Sequence, residues 1–410
     1  MNNAVDEGDE KPMNVLDFVP MDTNTVPVIV KQPTLVSRKD CINLSTKISV
    51  GARDYQISHI VKGVENISSE IDSFFPISLY AAMKENLPLK IEGVLSRRLA
   101  ENHKIIQLIV NSWWPTYRLI PVDYWALSKK PITENVKRSV GCFFTGGIDS
   151  FYSFLKRNSE INRIIICYGL DIRLDNHALR EKVSTELKKI ANHYNKSIIE
   201  VETDVRNFSD DYGDWGHQMH GPALAGIAML LSKELHKVYI ASSNPFGLLE
   251  PWGTHPLIDP FWSTDAIEIV HDGCEATRVQ KAQFVSQDLF ALNAIRVCHE
   301  NRSNLYNCGI CEKCVRSMVN LAITNTLQQC QAFDNPLEYW RIRRIKLDTS
   351  LRREWLTNLV AAKKANCDPA LVDAIEDCVS GIYYMGIKGW PKRALNLLHK
   401  MTLASKTAHS

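Results

Sequence analysis

The chain lacks any apolar run of the ~18–20 residues that a helix needs to cross a bilayer, so the sequence excludes a helical membrane span. It also lacks charge of one sign: 48 lysines and arginines stand against 46 aspartates and glutamates, a net charge of +2. Bulk electrostatics therefore select no polyanion, and contact with DNA or RNA would need a local patch. Neither common nucleotide loop is present, Gly-x-x-x-x-Gly-Lys-Ser/Thr or Gly-x-Gly-x-x-Gly. Internal repeats and low-complexity segments are missing too, which excludes solenoids and linker-rich architectures. The first ten residues, Met-Asn-Asn-Ala-Val-Asp-Glu-Gly-Asp-Glu, are acidic and polar, the opposite of a signal or transit peptide. With 11 cysteines and no such signal, the expected compartment is reducing and cytoplasmic.

What the chain does have is length and core. Its 410 residues are 45% hydrophobic, enough for two or three domains. Residues 1–45 carry four prolines and little periodicity, and read as a flexible tail that passes into a strand near residues 26–30. Residues 46–134 read as an α+β module: a hairpin over 47–62, a helix opened by Ser68 or Ser69, a short strand at 89–91, and a helix from Ser96 to the Trp113-Trp114-Pro115 stop. The two tryptophans suit interior packing better than base stacking. Residues 128–134 read as a linker. From Val140 to about residue 327 strand and helix patterns alternate, and runs such as Ile164-Ile165-Ile166 suit strands buried on both faces. That alternation predicts an α/β fold with a doubly wound parallel sheet. Residues 328–410 read as a helical C-terminal region.

The most informative stretch is residues 138–157. An apolar run, Val140 to Phe144, turns through Thr145-Gly146-Gly147 into Ile148-Asp149-Ser150-Phe151, where helical spacing begins. Glycines let backbone approach a ligand, and the first N–H groups of a helix have no internal partners, so the turn is built for an anion. Thr145 and Ser150 add hydroxyls, and Asp149 can hold a metal ion beside a phosphate. A plain turn with Asp149 and Ser150 as caps is the competing reading. Gly169, Asp171, Asp204 and Ser242-Ser243-Asn244 fall at the ends of other predicted strands, where ligands of such sheets sit.

Cys298, Cys308, Cys311 and Cys314 carry the most specific metal signal. Two overlapping Cys-x-x-Cys steps bring three sulfurs together and Cys298 supplies a fourth, a set that fits closed tetrahedral Zn2+. An iron–sulfur cluster, free thiols, or His299 in place of Cys298 remain open. Asn307 and backbone N–H groups are expected to donate to the sulfurs. Cys142 and Cys167 read as small core residues.

Thr145-Gly146-Gly147-Ile148-Asp149-Ser150 resembles the Ser-Gly-Gly-x-Asp-Ser signature of the PP-loop ATP pyrophosphatases, with Thr145 in the place of serine. The resemblance implies an adenine nucleotide α-hydrolase-like fold, with a loop that grips the pyrophosphate of ATP while a substrate oxygen attacks the α-phosphorus. The late cysteine cluster is similar to that of the 7-cyano-7-deazaguanine synthase branch, over roughly residues 138–320. That implies ATP, Mg2+ and structural Zn2+, with Asp149, Lys281 and Arg278 as the catalytic set and Thr145, Gly146, Gly147, Asp149, Ser150 and Gly169 around the nucleotide. Lys281 falls where the branch has a lysine before its cysteines. Arg278, one turn earlier, is placed to share that role. Arg316 is one position off the branch's arginine, so no role carries over to it. The expected activity is adenylation of a carboxylate or amide oxygen, followed by attack of ammonia or an amine to form a C–N bond. The first ~130 and last ~80 residues have no counterpart in the compact synthase and point to a different acceptor, small-molecule or peptide.

Two alternatives stay open: a PP-loop sulfurtransferase, for which Cys274 is the only loose candidate, and a catalytically silent nucleotide- or partner-binding module, favoured by Thr145. Loops 208–220 and 244–265 are rich in Gly, Pro, Trp, His and Asp, and His217, His220, Trp252, His255 and Asp259 are candidates to line an acceptor pocket. His220 is a candidate base there. Asp210, Asp211 and Asp214 fit no metal spacing. The basic run Arg341–Lys346 is most simply a solvated face, and is compatible with a nucleic-acid or acidic partner. Oligomeric state is not encoded in any motif.

Overall fold

The computed structural model describes residues 25–128 and 138–381. Expectations for residues 1–24, 129–134 and 392–401 lie outside the described residues. Eleven strands form one sheet: β1 (Val28–Val30), β2 (Thr34–Ser37), β3 (Ile42–Val50), β4 (Arg53–Lys62), β5 (Leu89–Leu95), β6 (Val122–Leu127), β7 (Ser139–Phe143), β8 (Arg163–Tyr168), β9 (Ser197–Thr203), β10 (Leu235–Ala241) and β11 (Glu268–Asp272). Their order is β11-β10-β7-β8-β9-β4-β3-β1-β5-β6, with β2 beside β3. The chain is thus an α/β protein with a large, mostly parallel central sheet and a helical C-terminal region.

The strands β11, β10, β7, β8 and β9 pair in parallel throughout. Their apolar runs bury both faces, because alternate side chains point to opposite sides. Cys142, Ile164 and Ile166 enter a core with the helices Ile148–Lys156 and His177–His193. Phe143 and Ile165 enter the opposite core with the helices Phe75–Glu85 and His220–Leu230. From β7 the chain moves to β8 and β9 on one side, then returns to β10 on the other. The carboxyl end of β7 therefore faces the crevice where the connections diverge, the usual ligand position in an open α/β sheet.

The first module is not a separate sheet. β4 pairs antiparallel with β9, with His59 opposite Thr203 and Val61 opposite Val201. The predicted tail also ends earlier than residue 45: β1, β2 and the start of β3 lie inside it. β1 has three residues between Pro27 and Pro33, too few to show a period, and its parallel partner β5 arrives much later in the chain. The predicted Ser68 or Ser69 cap is displaced as well. The chain first makes a 3-10 turn, Ile71–Phe74, and the helix Phe75–Glu85 follows with Pro76 in its first turn. Ser68 Oγ instead accepts the Glu70 N–H at 3.2 Å.

The C-terminal helices Tyr339–Arg343, Thr349–Lys364 and Pro369–Ser380 close a third core around Trp355, against Val315, Met318 and Val319 of the helix Glu312–Ile323. Within the basic run, Arg343 pairs with Asp377 at 3.0 Å, and Arg341 and Arg344 lie over the Trp340 ring.

Candidate functional site

The turn after β7 is shaped by Gly146. Its φ of +78° is one that L side chains rarely adopt, and its carbonyl accepts the backbone N–H of Arg296 at 2.7 Å. Gly147 then starts the helix Ile148–Lys156 with no capping side chain. Ser150 Oγ donates to the Gly147 carbonyl at 3.0 Å, and neither Ser150 nor Asp149 caps the helix. The Gly147 N–H donates to Thr145 Oγ1 at 3.4 Å, whereas the N–H groups of Ile148, Asp149 and Ser150 have no side-chain cap, and this helix start opens on a cavity of about 620 Å³. That volume is within the range of small-molecule sites.

Asp149 is the electrostatic centre of this wall. Lys281 Nζ lies 3.2 Å from its Oδ1 and Arg278 Nη2 lies 3.5 Å from its Oδ2. Lys281 is fully buried and donates a second bond, 2.5 Å, to the Ser242 carbonyl at the end of β10. Both cations project from the helix Arg278–Val285, which begins with a capping box between Thr277 and Gln280. Their spacing of three residues puts them on one helix face. Burial alone would raise the Asp149 carboxyl, but Arg278, Lys281 and Lys313 outweigh it and hold it below the ordinary carboxylate range. The three residues that the sequence assigns as a catalytic set are thus in contact.

Other assignments separate. Thr145, Gly147, Asp149 and Ser150 line the cavity, as do His217, His220 and Trp252 from the two loops. Gly146 and Gly169 shape backbone instead. A Cβ on Gly169, whose φ is +92°, would sit 1.8 Å from the Thr203 carbonyl oxygen. His255 packs on Trp113 with ring centroids 4.7 Å apart, and Asp259 is buried against His271; neither is in the cavity wall. Asp204 accepts the Ser58 N–H at 2.8 Å. His220 bridges the Trp215 carbonyl and Thr254 Oγ1, and burial lowers its pKa, so it is held as a neutral imidazole.

Three further groups on the wall escape the motif reading, and a fourth, Arg316, is given no role by it. Lys313, Arg316, Ser317 and Asn320 share one face of the helix Glu312–Ile323, and all four line the cavity. Their mutual spacing of three and four residues, just after Cys311, is a signal that could have found them. Burial lowers the Arg316 pKa to about 10, assisted by Arg278 and opposed by Glu312. Glu354, from the first turns of the helix Thr349–Lys364, pairs with Arg278 at 3.2 Å and with Arg316. Arg296 also lines the cavity, and only the fold brings it there.

The four cysteines Cys298, Cys308, Cys311 and Cys314 are all buried, with their sulfurs within 4.8 Å of one another. The Cys298–Cys311 and Cys308–Cys314 sulfurs are 3.9 Å apart. Four sulfurs about 2.3 Å from one zinc would be separated by about 3.8 Å, so the donor set fits a closed tetrahedral ion. His299 is not in this group; it faces the cavity. Asn307 does not serve the sulfurs as expected. Its Oδ1 accepts from the N–H groups of Val297 and Cys298, and its Nδ2 donates to the carbonyls of Ile295 and Ala332. A sulfur acceptor is the weaker partner, so the fully buried amide takes backbone groups. The Cys311 N–H does donate to Cys308 Sγ, at 3.3 Å.

No family model, curated protein or solved structure matches this chain. The candidate site therefore stands on geometry: an uncapped helix start, a half-buried carboxylate held by two cations, and a metal-fitting thiol group whose chain neighbours Val297, His299 and Lys313 line the same cavity. The link between the last two is direct. Arg296, two residues before Cys298, holds the Gly146 carbonyl, and Cys311 is the N-cap of the helix that carries Lys313 and Arg316.

Proposed function

We propose that the chain is an ATP-dependent adenylating enzyme of the PP-loop kind, which forms a C–N bond through an acyl or imidoyl adenylate. The observation that carries this reading is the convergence of Lys281 and Arg278 on Asp149, in the first turn after Thr145-Gly146-Gly147. An uncapped helix start accepts phosphate oxygens, and fixed cations stabilise charge that develops on leaving pyrophosphate. Arg278, Lys281, Lys313 and Arg316 supply those cations. Asp149 holds Lys281 and Arg278 at the loop and would ligate Mg2+, which would offset phosphate charge when bound. The four-cysteine group would hold structural Zn2+. The wall of His217, His220 and Trp252 would take the acceptor whose oxygen attacks the α-phosphorus. Ammonia or an amine then displaces AMP.

The test supplies ATP, Mg2+ and a low-molecular-mass cell extract as acceptor source. Pyrophosphate release with an AMP-linked species in the mass spectrum is expected. ATP binding with no pyrophosphate would instead mark a silent binding module.

A second expectation concerns Glu354. Its carboxylate occupies Arg278 and Arg316, the groups a triphosphate needs, so an incoming anion must compete with it. Glu354→Gln is expected to bind ATP about tenfold tighter, roughly 1.4 kcal/mol. Equilibrium dialysis with labelled ATP reads the change, and weaker binding would mean that Glu354 builds the site rather than blocks it.

A further inference from the structure

We propose that His217, oriented by Asp214, is the general base that takes the surplus proton of the amine as AMP is displaced. The inference rests on the adenylating reading above and names a group for its second half. An amine that attacks an activated carbon carries one proton too many until a nearby acceptor removes it. Several groups on the cavity wall that could accept a proton are already engaged. Asp149 is held by Lys281 and Arg278, and Glu354 by Arg278 and Arg316. Glu312 is held by Arg316 and by the indole N–H of Trp355. His220 has both ring nitrogens occupied, Nδ1 at 3.1 Å from the Trp215 carbonyl and Nε2 at 3.2 Å from Thr254 Oγ1. His299 faces the cavity, but no carboxylate among the described residues orients its ring. A free carboxylate is a weaker base than imidazole, the side chain that exchanges protons near neutrality.

His217 is both oriented and open. The chain passes from Asp214 into one π-helical turn, Trp215–Met219, an uncommon form that concentrates at functional sites. Asp214 Oδ1 caps this turn by accepting the His217 backbone N–H at 2.7 Å. The same oxygen lies 2.8 Å from His217 Nδ1. An ionised carboxylate only accepts, so Nδ1 carries the proton and Nε2 keeps its lone pair. Nε2 makes no hydrogen bond among the described residues. The Trp252 ring packs on the imidazole with centroids 4.8 Å apart, which limits its rotation. Asp214, His217 and Trp252 all line the cavity on which the loop 145–150 opens. Burial would raise the Asp214 carboxyl, but the His217 backbone and ring N–H groups outweigh it, so the carboxylate stays ionised. The His217 side chain is 56% exposed, so a proton taken from the amine can pass on to water.

In the step proposed, the amine nitrogen attacks the activated carbon of the adenylate. The bond from that carbon to the phosphate oxygen breaks, and AMP leaves with the electron pair. The surplus proton on nitrogen passes to His217 Nε2, and Asp214 stabilises the imidazolium that results. Water then takes the proton and resets the ring. No oxidant or reductant enters.

The experiment uses the full chain with ATP, Mg2+ and a low-molecular-mass cell extract cleared of amines on a cation exchanger. Ammonium chloride or hydroxylamine is then added, and the pyrophosphate burst and AMP release are followed separately. His217→Gln, with its fold checked by circular dichroism, should release AMP at least ~100-fold more slowly with ammonium, the usual cost of a lost general base. Its pyrophosphate burst should lose at least ~10-fold less than that. Hydroxylamine is largely uncharged at neutral pH and sheds its surplus proton to water, so it should bring AMP release back to within ~3-fold of wild type. Asp214→Asn keeps the capping oxygen and loses the charge. It should slow AMP release with ammonium at least ~10-fold, with the same recovery on hydroxylamine. AMP release by His217→Gln at the wild-type rate with ammonium overturns the proposal. A loss that hydroxylamine leaves in place also overturns it, because the ring would then only shape the pocket. Equal losses in the burst and in AMP release overturn it as well, since they place His217 in the first half. Absence of pyrophosphate from wild type sinks the adenylation reading instead, and the base with it.

Discussion

Replacing Lys281 with methionine is expected to lower ATP-dependent pyrophosphate release by roughly 10²–10³-fold, the usual cost of one lost electrostatic stabiliser at a developing anion. Lys281 is the residue to change because it does no work at the surface. It is fully buried, its hydrogen bonds go to Asp149 Oδ1 in the cavity wall and to the Ser242 carbonyl just after β10, and its ammonium lies 5.7 Å from the Tyr152 ring centre. Methionine keeps most of its volume and no charge. Breaking a buried pair can cost about 3–5 kcal/mol when a lone charge remains. Here Asp149 retains Arg278, and Lys313 still acts on it, so the loss of stability should be smaller than the loss of activity. The two are read separately, by pyrophosphate release and by urea denaturation. Lys281→Arg should not restore turnover, because a guanidinium is broader than the space that admits the ammonium. Normal release by the methionine variant would remove Lys281 from the chemistry.

The second large effect follows from stripping the metal. Structural zinc sites contribute about 10–16 kcal/mol of binding free energy, as much as the whole stability of a typical domain. In this chain the cost would reach the cavity, because the segment around the cysteines is tied to the loop. Loss of the ion would free Arg296, whose N–H holds the Gly146 carbonyl, and would unpin Cys311 at the start of the helix with Lys313 and Arg316. Chelation under denaturant-free conditions is expected to cut ATP affinity by at least about 100-fold, or 2.7 kcal/mol. Amide exchange should rise across residues 296–323 and remain slow in β7 and β8. Metal analysis of the untreated protein should give one zinc per chain. Unchanged ATP affinity in the metal-free protein would make the cysteine loop an independent structural unit.

The sequence reveals the local parts of this site and hides the assembled ones. Gly146-Gly147 after an apolar run is visible because a strand, a sharp turn and a helix start are consecutive. The Arg278 and Lys281 pair is visible as a helical spacing, but its meeting with Asp149 depends on packing between distant helices. The cysteines are legible because their spacing is short. Arg296 is not, since its backbone bond to Gly146 spans 150 residues. Lys313 and Arg316 were within reach of a helical reading that began at Cys311. Glu354 was not, because the covering of the cavity by the C-terminal helices is a tertiary event. The same division holds for the sheet. The β3–β4 hairpin shows its period, with residues Ile42 to Val50 alternating in burial. Three-residue β1 is expected near residues 26–30, but its place in the sheet waits for β5.

The most direct measurement is a crystal structure with Mg2+ and a non-hydrolysable ATP analogue bridged at the α,β position. The β- and γ-phosphates are expected at the N-terminus of the helix Ile148–Lys156, against Thr145, Gly147 and Ser150, with Arg278 released from Glu354. Phosphates bound elsewhere, with Arg278 still paired to Glu354 and the helix start empty, would contradict that placement.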